Sequence, residues 1–269
     1  MDNTQLAVKA REIRKSIIRM LTRAGSGHTG GSLGMADVFT TLFFDTINMD
    51  SGDVTAKDRF IFSNGHICPV WYATLAEKGW IKKEELMTLR QLGSRLQGHP
   101  SRHDFPFAEI SAGSLGQGFL AAVGLALAMK RDKSPYKVYA SLGDGELDEG
   151  SIWEAAMAAG KYQLGNLIAF VDVNRQQQAG TTDQLMPLEP LAGKWAAFNW
   201  HVIEADGHDF SDIKKAFREA KQQKKPSVVL FKTHMGKGVP DWEDKYAWHG
   251  VSPTEQQAEY ALKALEAPR

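Results

Sequence analysis

The chain has 269 residues, 43% of them hydrophobic, with 32 Lys+Arg against 32 Asp+Glu and one cysteine, Cys68. Such a length suits one large domain or two small ones and can bury a sizeable core, while the balanced charge argues against a general nucleic-acid binder. A lone cysteine excludes an intrachain disulfide framework and an all-cysteine metal centre, and it fits a reducing, cytoplasmic setting.

From Lys9 to Arg19, charges interrupt every apolar run, so no signal peptide is read there, and no later stretch approaches a membrane span. Leu6, Ile13, Ile17 and Leu21 fall near helical spacing and predict a first amphipathic helix. The glycine-dense run Gly25–Ser32 is expected to be loop, and 34–47 is helical again. Residues 58–63 read as a short strand ending in Asn64-Gly65-His66, followed by helices near 68–78 and 82–91. A poorly patterned stretch, 92–112, holds His99, Pro100, His103 and Pro106. The run 114–130 is apolar almost all round and predicts a buried helix.

Strand patterns then fall at 137–142, 167–173, 200–205 and 227–232, with helical patterns at 149–162, 188–197 and 210–222 between them. This alternation predicts an α/β fold, a doubly wound and mostly parallel sheet with helices on both faces. With no repeat and no linker, 1–269 reads as a single domain whose last few residues fray. Ligands in such sheets bind beyond the carboxyl ends of the strands. That directs attention to the loops after Ser63, Leu142, Val173 and Lys232.

After the strand at 137–142 the chain reads Gly143-Asp144-Gly145-Glu146. The glycines permit a tight turn and close backbone approach, and the following helix offers free N–H groups to a diphosphate. A carboxylate there would repel phosphate unless a cation stood between, so Asp144 is read as a ligand for Mg²⁺, with Ca²⁺ or Mn²⁺ suiting the same oxygens. By itself Gly-Asp-Gly is more often a turn. Asn174, thirty residues on at the end of the next strand, adds a second hard oxygen at the same sheet edge.

That spacing is the fingerprint of thiamin diphosphate enzymes, and the chain resembles transketolases over about residues 10–250. The resemblance is carried, in the family's order, by Ser26-Gly27-His28, Ser63-Asn64-Gly65-His66, Gly98-His99-Pro100, Gly113-Ser114-Leu115-Gly116-Gln117-Gly118, 143–150 and Trp248-His249-Gly250. It implies the diphosphate-binding half only. The pyrimidine-binding and C-terminal domains are expected on a separate C-terminal partner subunit in an α₂β₂ assembly, with ketol transfer from a ketose to an aldose sugar at the subunit interface. A fragment of a longer chain is the alternative origin.

By this resemblance Asp144 and Asn174 bind the metal through side chains and Gln176 through its backbone carbonyl. His66, Gly143, Gly145 and His249 contact the cofactor diphosphate, and Gly113, Ser114 and Leu115 border the bent cofactor. His28, His66, His99 and His249 line the substrate channel and exchange protons with sugar hydroxyls. Glu154 lies near the interface that links paired active sites. His201, His208 and His234 lack such flanks and are read as structural or surface residues, and His103 is left open.

One stretch departs from the family. Gln176-Gln177-Gln178-Ala179-Gly180 stands where an apolar residue and then Asp-Gly are usual, so Gln178 replaces a packing side chain and Ala179 an acid. Phosphate, sulfonate or a branched skeleton on the donor sugar all remain open. Two other readings stand beside this one: another thiamin enzyme (a deoxyxylulose-phosphate synthase relative or the alpha chain of a 2-oxo acid dehydrogenase), or a non-catalytic cofactor-binding subunit.

Overall fold

The computed structural model describes every residue except 51, 54, 268 and 269; the expected fraying of the last residues falls partly outside the described residues. The strands are β1 (Arg59–Phe62), β2 (Val138–Gly143), β3 (Leu167–Val173), β4 (Gln176–Gln177), β5 (Gly180–Thr181), β6 (His201–Asp206) and β7 (Ser227–Lys232). All but the small β4–β5 hairpin form one parallel sheet in the order β1-β2-β3-β7-β6. The helices are α1 (Asn3–Ala24), α2 (Thr29–Gly34), α3 (Ala36–Thr41), α4 (Cys68–Glu77) and α5 (Gln117–Arg131). They continue as α6 (Gly150–Lys161), α7 (Thr182–Leu185), α8 (Leu191–Ala197), α9 (Phe210–Lys221) and α10 (Glu255–Glu266).

The sheet is covered on both sides because its strands are apolar on both sides. Along β3, Ile168 and Phe170 join one core, while Leu167, Ala169 and Val171 join the other. Side chains of α1, α3, α4, α9 and α10 pack in the first core, and those of α5, α6 and α8 in the second. The strand order reverses after β3: the chain passes to the edge strand β6, then returns to insert β7. Right-handed crossovers therefore place α8 and α9 on opposite faces. The carboxyl ends of β2, β3 and β7 meet at this reversal, where a ligand crevice is expected. Among the described residues no helix is long and apolar enough to cross a membrane.

Three local expectations need correction. The glycine-dense run is not all loop, because its last four residues begin α2. Glycine is there for closeness: a Cβ on Gly30 would sit 2.5 Å from Met235 Cγ, one on Gly31 2.7 Å from Ile67 Cγ2, and one on Gly34 3.0 Å from the His234 carbonyl. Instead of a helix over 82–91 there is only a 3₁₀ turn, Lys83–Thr88. The helix expected at 114–130 starts at Gln117 and is buried on one side only, leaving Gly124 and Leu127 exposed. Beyond these, the sequence pattern gives no warning of α10, although Thr254 and Gln257 form a capping box at its start and Ala258, Ala261 and Leu265 bury one face.

Candidate functional site

Parallel pairing of β2 and β3 sets Gly143 opposite Asp172, so the loops after both strands open at one edge. Asp144 is buried there; the backbone N–H of Gly145 donates to its Oδ1 at 2.8 Å and that of Arg175 to its Oδ2 at 2.6 Å. Asn174 Oδ1 accepts from the Gln176 N–H at 2.8 Å, and its Nδ2 donates to Asp172 Oδ2 at 2.9 Å. Asp172 also accepts from the Thr233 hydroxyl, which follows β7. Burial pushes the Asp144 carboxyl up to about 8, with the nearby Asp172 adding to the shift. Burial likewise raises Asp172 to about 6, against the hydrogen bonds from Thr233 and Asn174.

The cavity above this edge, about 320 Å³, is lined by His28, His66, His99 and His249 together with Gly113, Leu115, Gly143, Asp144, Gly145, Asn174 and Gln176. The imidazoles form one cluster: His28 lies 5.0 Å from His66, 6.2 Å from His99 and 5.6 Å from His249 between ring centroids. Burial lowers all four. His28 falls to about 4 through burial, then His249, His99 and Arg90, and His66 lies well below its ordinary value. His99 and His249 shift the same way. Neutral imidazoles can both donate and accept, which suits proton exchange with hydroxyl groups.

Two expected residues lie elsewhere. Ser114 is exposed and outside the cavity lining, and so is Glu154 on α6. His103 is exposed beside Asp104, while His201 pairs with Glu219 at 2.8 Å. Of the departing loop, Gln177 and Gln178 line the cavity; Gln177 Nε2 donates to Asp148 Oδ2 at 2.9 Å.

Several residues in or beside the cavity escape the sequence reading: Asn64, Glu146, Asp172 and Arg90. Glu146 is buried, accepts from the Ser63 hydroxyl, the Gly116 N–H (2.8 Å) and the Gly143 N–H (3.1 Å), and is raised by burial to about 7. It thus ties together the three glycine-bearing loops around the cavity. Its only sequence signal is an acid directly after Gly-Asp-Gly. Arg90 is a non-glycine residue at φ 60°, and its charge reaches both His28 and His99.

The residues present fit a divalent cation with a diphosphate. Asp144 and Asn174 offer hard oxygens, each already oriented by a backbone N–H and each with a lone pair to spare. Three buried polar atoms, His28 Nδ1, Asn64 Oδ1 and Gln176 Oε1, find no partner among the described residues and belong to side chains lining the same cavity. Buried polar groups are normally paired, so these mark where a polar ligand belongs.

A family profile described as "Transketolase, thiamine diphosphate binding domain" matches residues 5–265. The chain belongs to the transketolase family. It is 41% identical over 263 residues to an apulose-4-phosphate transketolase subunit of Phocaeicola vulgatus, covering 97% of this chain and 93% of that one. With the 6-deoxy-6-sulfo-D-fructose transketolase subunit SqwG of a Clostridium species it shares 43% over 261 residues, covering 96% and 95%. Human transketolase is 40% identical over 95% of this chain, which spans only 41% of that enzyme. The crystal structure of the Campylobacter jejuni transketolase superposes with a TM-score of 0.92 at 32% identity, covering 98% of this chain and 43% of that one. The sheet and its helices thus correspond to the N-terminal domain of transketolases, which are transferases, and the match covers a thiamin diphosphate-binding domain.

Proposed function

We propose that this chain is the N-terminal subunit of a transketolase dependent on thiamin diphosphate and Mg²⁺, a single diphosphate-binding domain that transfers a two-carbon ketol unit only with a C-terminal partner subunit. The observation that carries the reading is the cluster of four half-buried histidines over the Asp144–Asn174 edge. Relatives named as transketolase subunits, matched over 93% and 95% of their own length, support a separate partner. A face of α5 and α6 that leaves Leu127 38% and Met157 56% exposed, beside the exposed Glu154, supports burial between subunits in a two-fold α₂β₂ assembly. A lone cysteine, Cys68, with no disulfide framework fits a reducing, cytoplasmic home.

When bound, thiamin diphosphate supplies the carbanion that adds to a ketose carbonyl and the electron sink that follows carbon–carbon cleavage. Asp144, Asn174 and the Gln176 carbonyl would hold the cation. Gly143, Gly145, His66 and His249 would take the diphosphate, with Gly113 and Leu115 bordering the rest of the cofactor. His28, His66, His99 and His249 would bind sugar hydroxyls and move the proton between alkoxide and hydroxyl. Because they are neutral, each has a nitrogen available to accept that proton near pH 7. Glu154 would act at the subunit interface rather than on the sugar.

The test is co-expression with the partner, followed by assays with a ketose phosphate, a 6-sulfonated ketose and a branched ketose phosphate, each with an aldose phosphate acceptor. Partner-dependent ketol transfer from one of the three is expected, with none from the isolated chain. Turnover by the isolated chain, or CO₂ release from pyruvate in place of ketol transfer, would overturn the reading.

A further inference from the structure

His208, in the loop between β6 and α9, lies outside the cavity yet has both ring nitrogens engaged. Its Nδ1 faces Asp37 Oδ2 at 2.9 Å, and its Nε2 accepts the backbone N–H of His234 at 2.9 Å. Asp37 is buried in α3 and takes two N–H bonds from the Arg14 guanidinium of α1, at 2.8 and 2.7 Å. Burial alone would raise its carboxyl, but Arg14 and His208 beside it hold it at about 2. An ionised carboxylate only accepts and a backbone N–H only donates. The ring is therefore fixed as one neutral tautomer, with its proton on Nδ1.

The bond to His234 matters because of the segment that begins there. Thr233, just before it, donates to Asp172, which in turn accepts from Asn174. Met235 fills the notch over Gly30, and the Gly236 N–H donates to the Gly30 carbonyl at 2.8 Å. Asp244 returns to Met235 through its N–H at 2.9 Å, and Thr29 donates to the Val251 carbonyl. Residues 233–251 thus form a strap over α2, with the metal edge at one end and His249 at the other. Buried Met235, Val239 and Trp242 anchor the middle of the strap, and the bond its first turn donates to His208 is rooted in the buried Arg14–Asp37 pair.

We propose that His208 is a positioning residue: its neutral ring transmits the fixed geometry of Arg14 and Asp37 to the 233–251 strap, and so places both His249 and the Thr233–Asp172–Asn174 chain. The proposal rests on the reading of the cavity as a cofactor site. Other polar groups face the ring without replacing it. Asp206 takes the backbone N–H of His208 at 2.8 Å, and the His234 ring stacks at 5.5 Å with its own Nδ1 on Asp244.

Two variants separate positioning from mere packing. His208→Phe keeps an aromatic ring against His234 but removes both nitrogens, whereas His208→Gln keeps a neutral acceptor and an N–H donor. Each is compared with wild type by backbone hydrogen exchange of the cofactor-free chain, and by the affinity of the complex with its partner for thiamin diphosphate in the presence of Mg²⁺. The expected result for His208→Phe is faster exchange confined to 234–250 and at least ten-fold weaker cofactor binding, with most of both recovered in His208→Gln. Unchanged exchange in the strap of His208→Phe would overturn the proposal. So would equal losses in both variants spread over the whole sheet, since that is a folding defect. Should wild type bind no thiamin diphosphate, the functional reading fails while the exchange comparison still decides the role of His208.

Discussion

Asp144 offers a direct test, because the same carboxylate should weaken the empty fold and strengthen the loaded one. It is buried beside Asp172, and the donors that reach it are backbone N–H groups. Folding raises it from 3.8 to about 8, so this group favours the fold most below pH 4, less as pH rises, and with no further change above about 8. At pH 7 the unfolded chain has lost a proton that the fold retains, a difference of about 4 kcal/mol against the cofactor-free fold. Asp144→Asn removes that term but turns an N–H₂ toward one of the two backbone donors, which costs about 1–3 kcal/mol. The net expectation is a gain of about 1–3 kcal/mol, at roughly 2–4 °C per kcal/mol for a chain of this size. Ligand at a hundred times its Kd should stabilise wild type by about 2.7 kcal/mol. Calorimetry at pH 6, 7 and 8.5, with and without Mg²⁺ and thiamin diphosphate, reads all of this. Wild type should lose Tm from pH 6 to 8.5 unless loaded, while the variant should melt higher when empty and gain nothing from the ligands. A variant less stable than wild type at pH 8.5, or one that still responds to the ligands, would rule out this role for Asp144.

Glu146→Ala leaves the Ser63 hydroxyl and the Gly116 and Gly143 N–H groups without their shared acceptor, so cofactor affinity measured by calorimetric titration should fall at least ten-fold, with Glu146→Gln intermediate. In Gly118→Ala the added Cβ would lie 2.6 Å from Ser63 Cα, so a Tm loss corresponding to roughly 1–3 kcal/mol is expected; the same change at Gly143, where the nearest atom is 3.8 Å away, should leave the cofactor-free Tm unchanged. His28 should titrate near 4 by NMR, so His28→Gln should lower the rate without moving any acid limb of the pH–rate profile that lies above pH 5.

The sheet is legible wherever burial on both faces writes a continuous apolar run. β3 and β7 begin and end where the runs 167–173 and 227–232 predict. Asp144 and Asn174 can be placed together because adjacent parallel strands align their ends. What composition misleads on is contact: Gly30, Gly31 and Gly34 look like loop because glycine is a poor helix former, yet in α2 they let Met235, Ile67 and the His234 carbonyl approach. The apolar circumference of α5 implies burial within this chain, whereas Gly124 and Leu127 face outward. Asp172, Glu146 and Arg90 escape for a different reason. The first two depend on neighbours 61 and 83 residues away in sequence, Thr233 for Asp172 and Ser63 for Glu146, and Arg90 acts on His28 across a similar gap; no local pattern encodes these.

The charge of the cavity constrains what it can recognise. Among the described residues its lining holds four imidazoles and three carboxylates but no lysine or arginine. Burial lowers every one of those imidazoles and raises every one of those carboxylates, so all seven are pushed toward their neutral forms. Neutral donors can orient a diphosphate but cannot offset its charge, so an anion held against Asp144 must enter with a cation. The same logic applies to the far end of a donor sugar. Phosphate and sulfonate call for a fixed positive charge, and among the described residues Arg90 is the basic side chain whose charge reaches His28 and His99. The four histidines are therefore suited to the hydroxyl and carbonyl oxygens that every ketol donor shares. On the proposed function, discrimination among phosphorylated, sulfonated and branched donors would fall to groups beyond this lining, such as Arg90 and the surface of a partner.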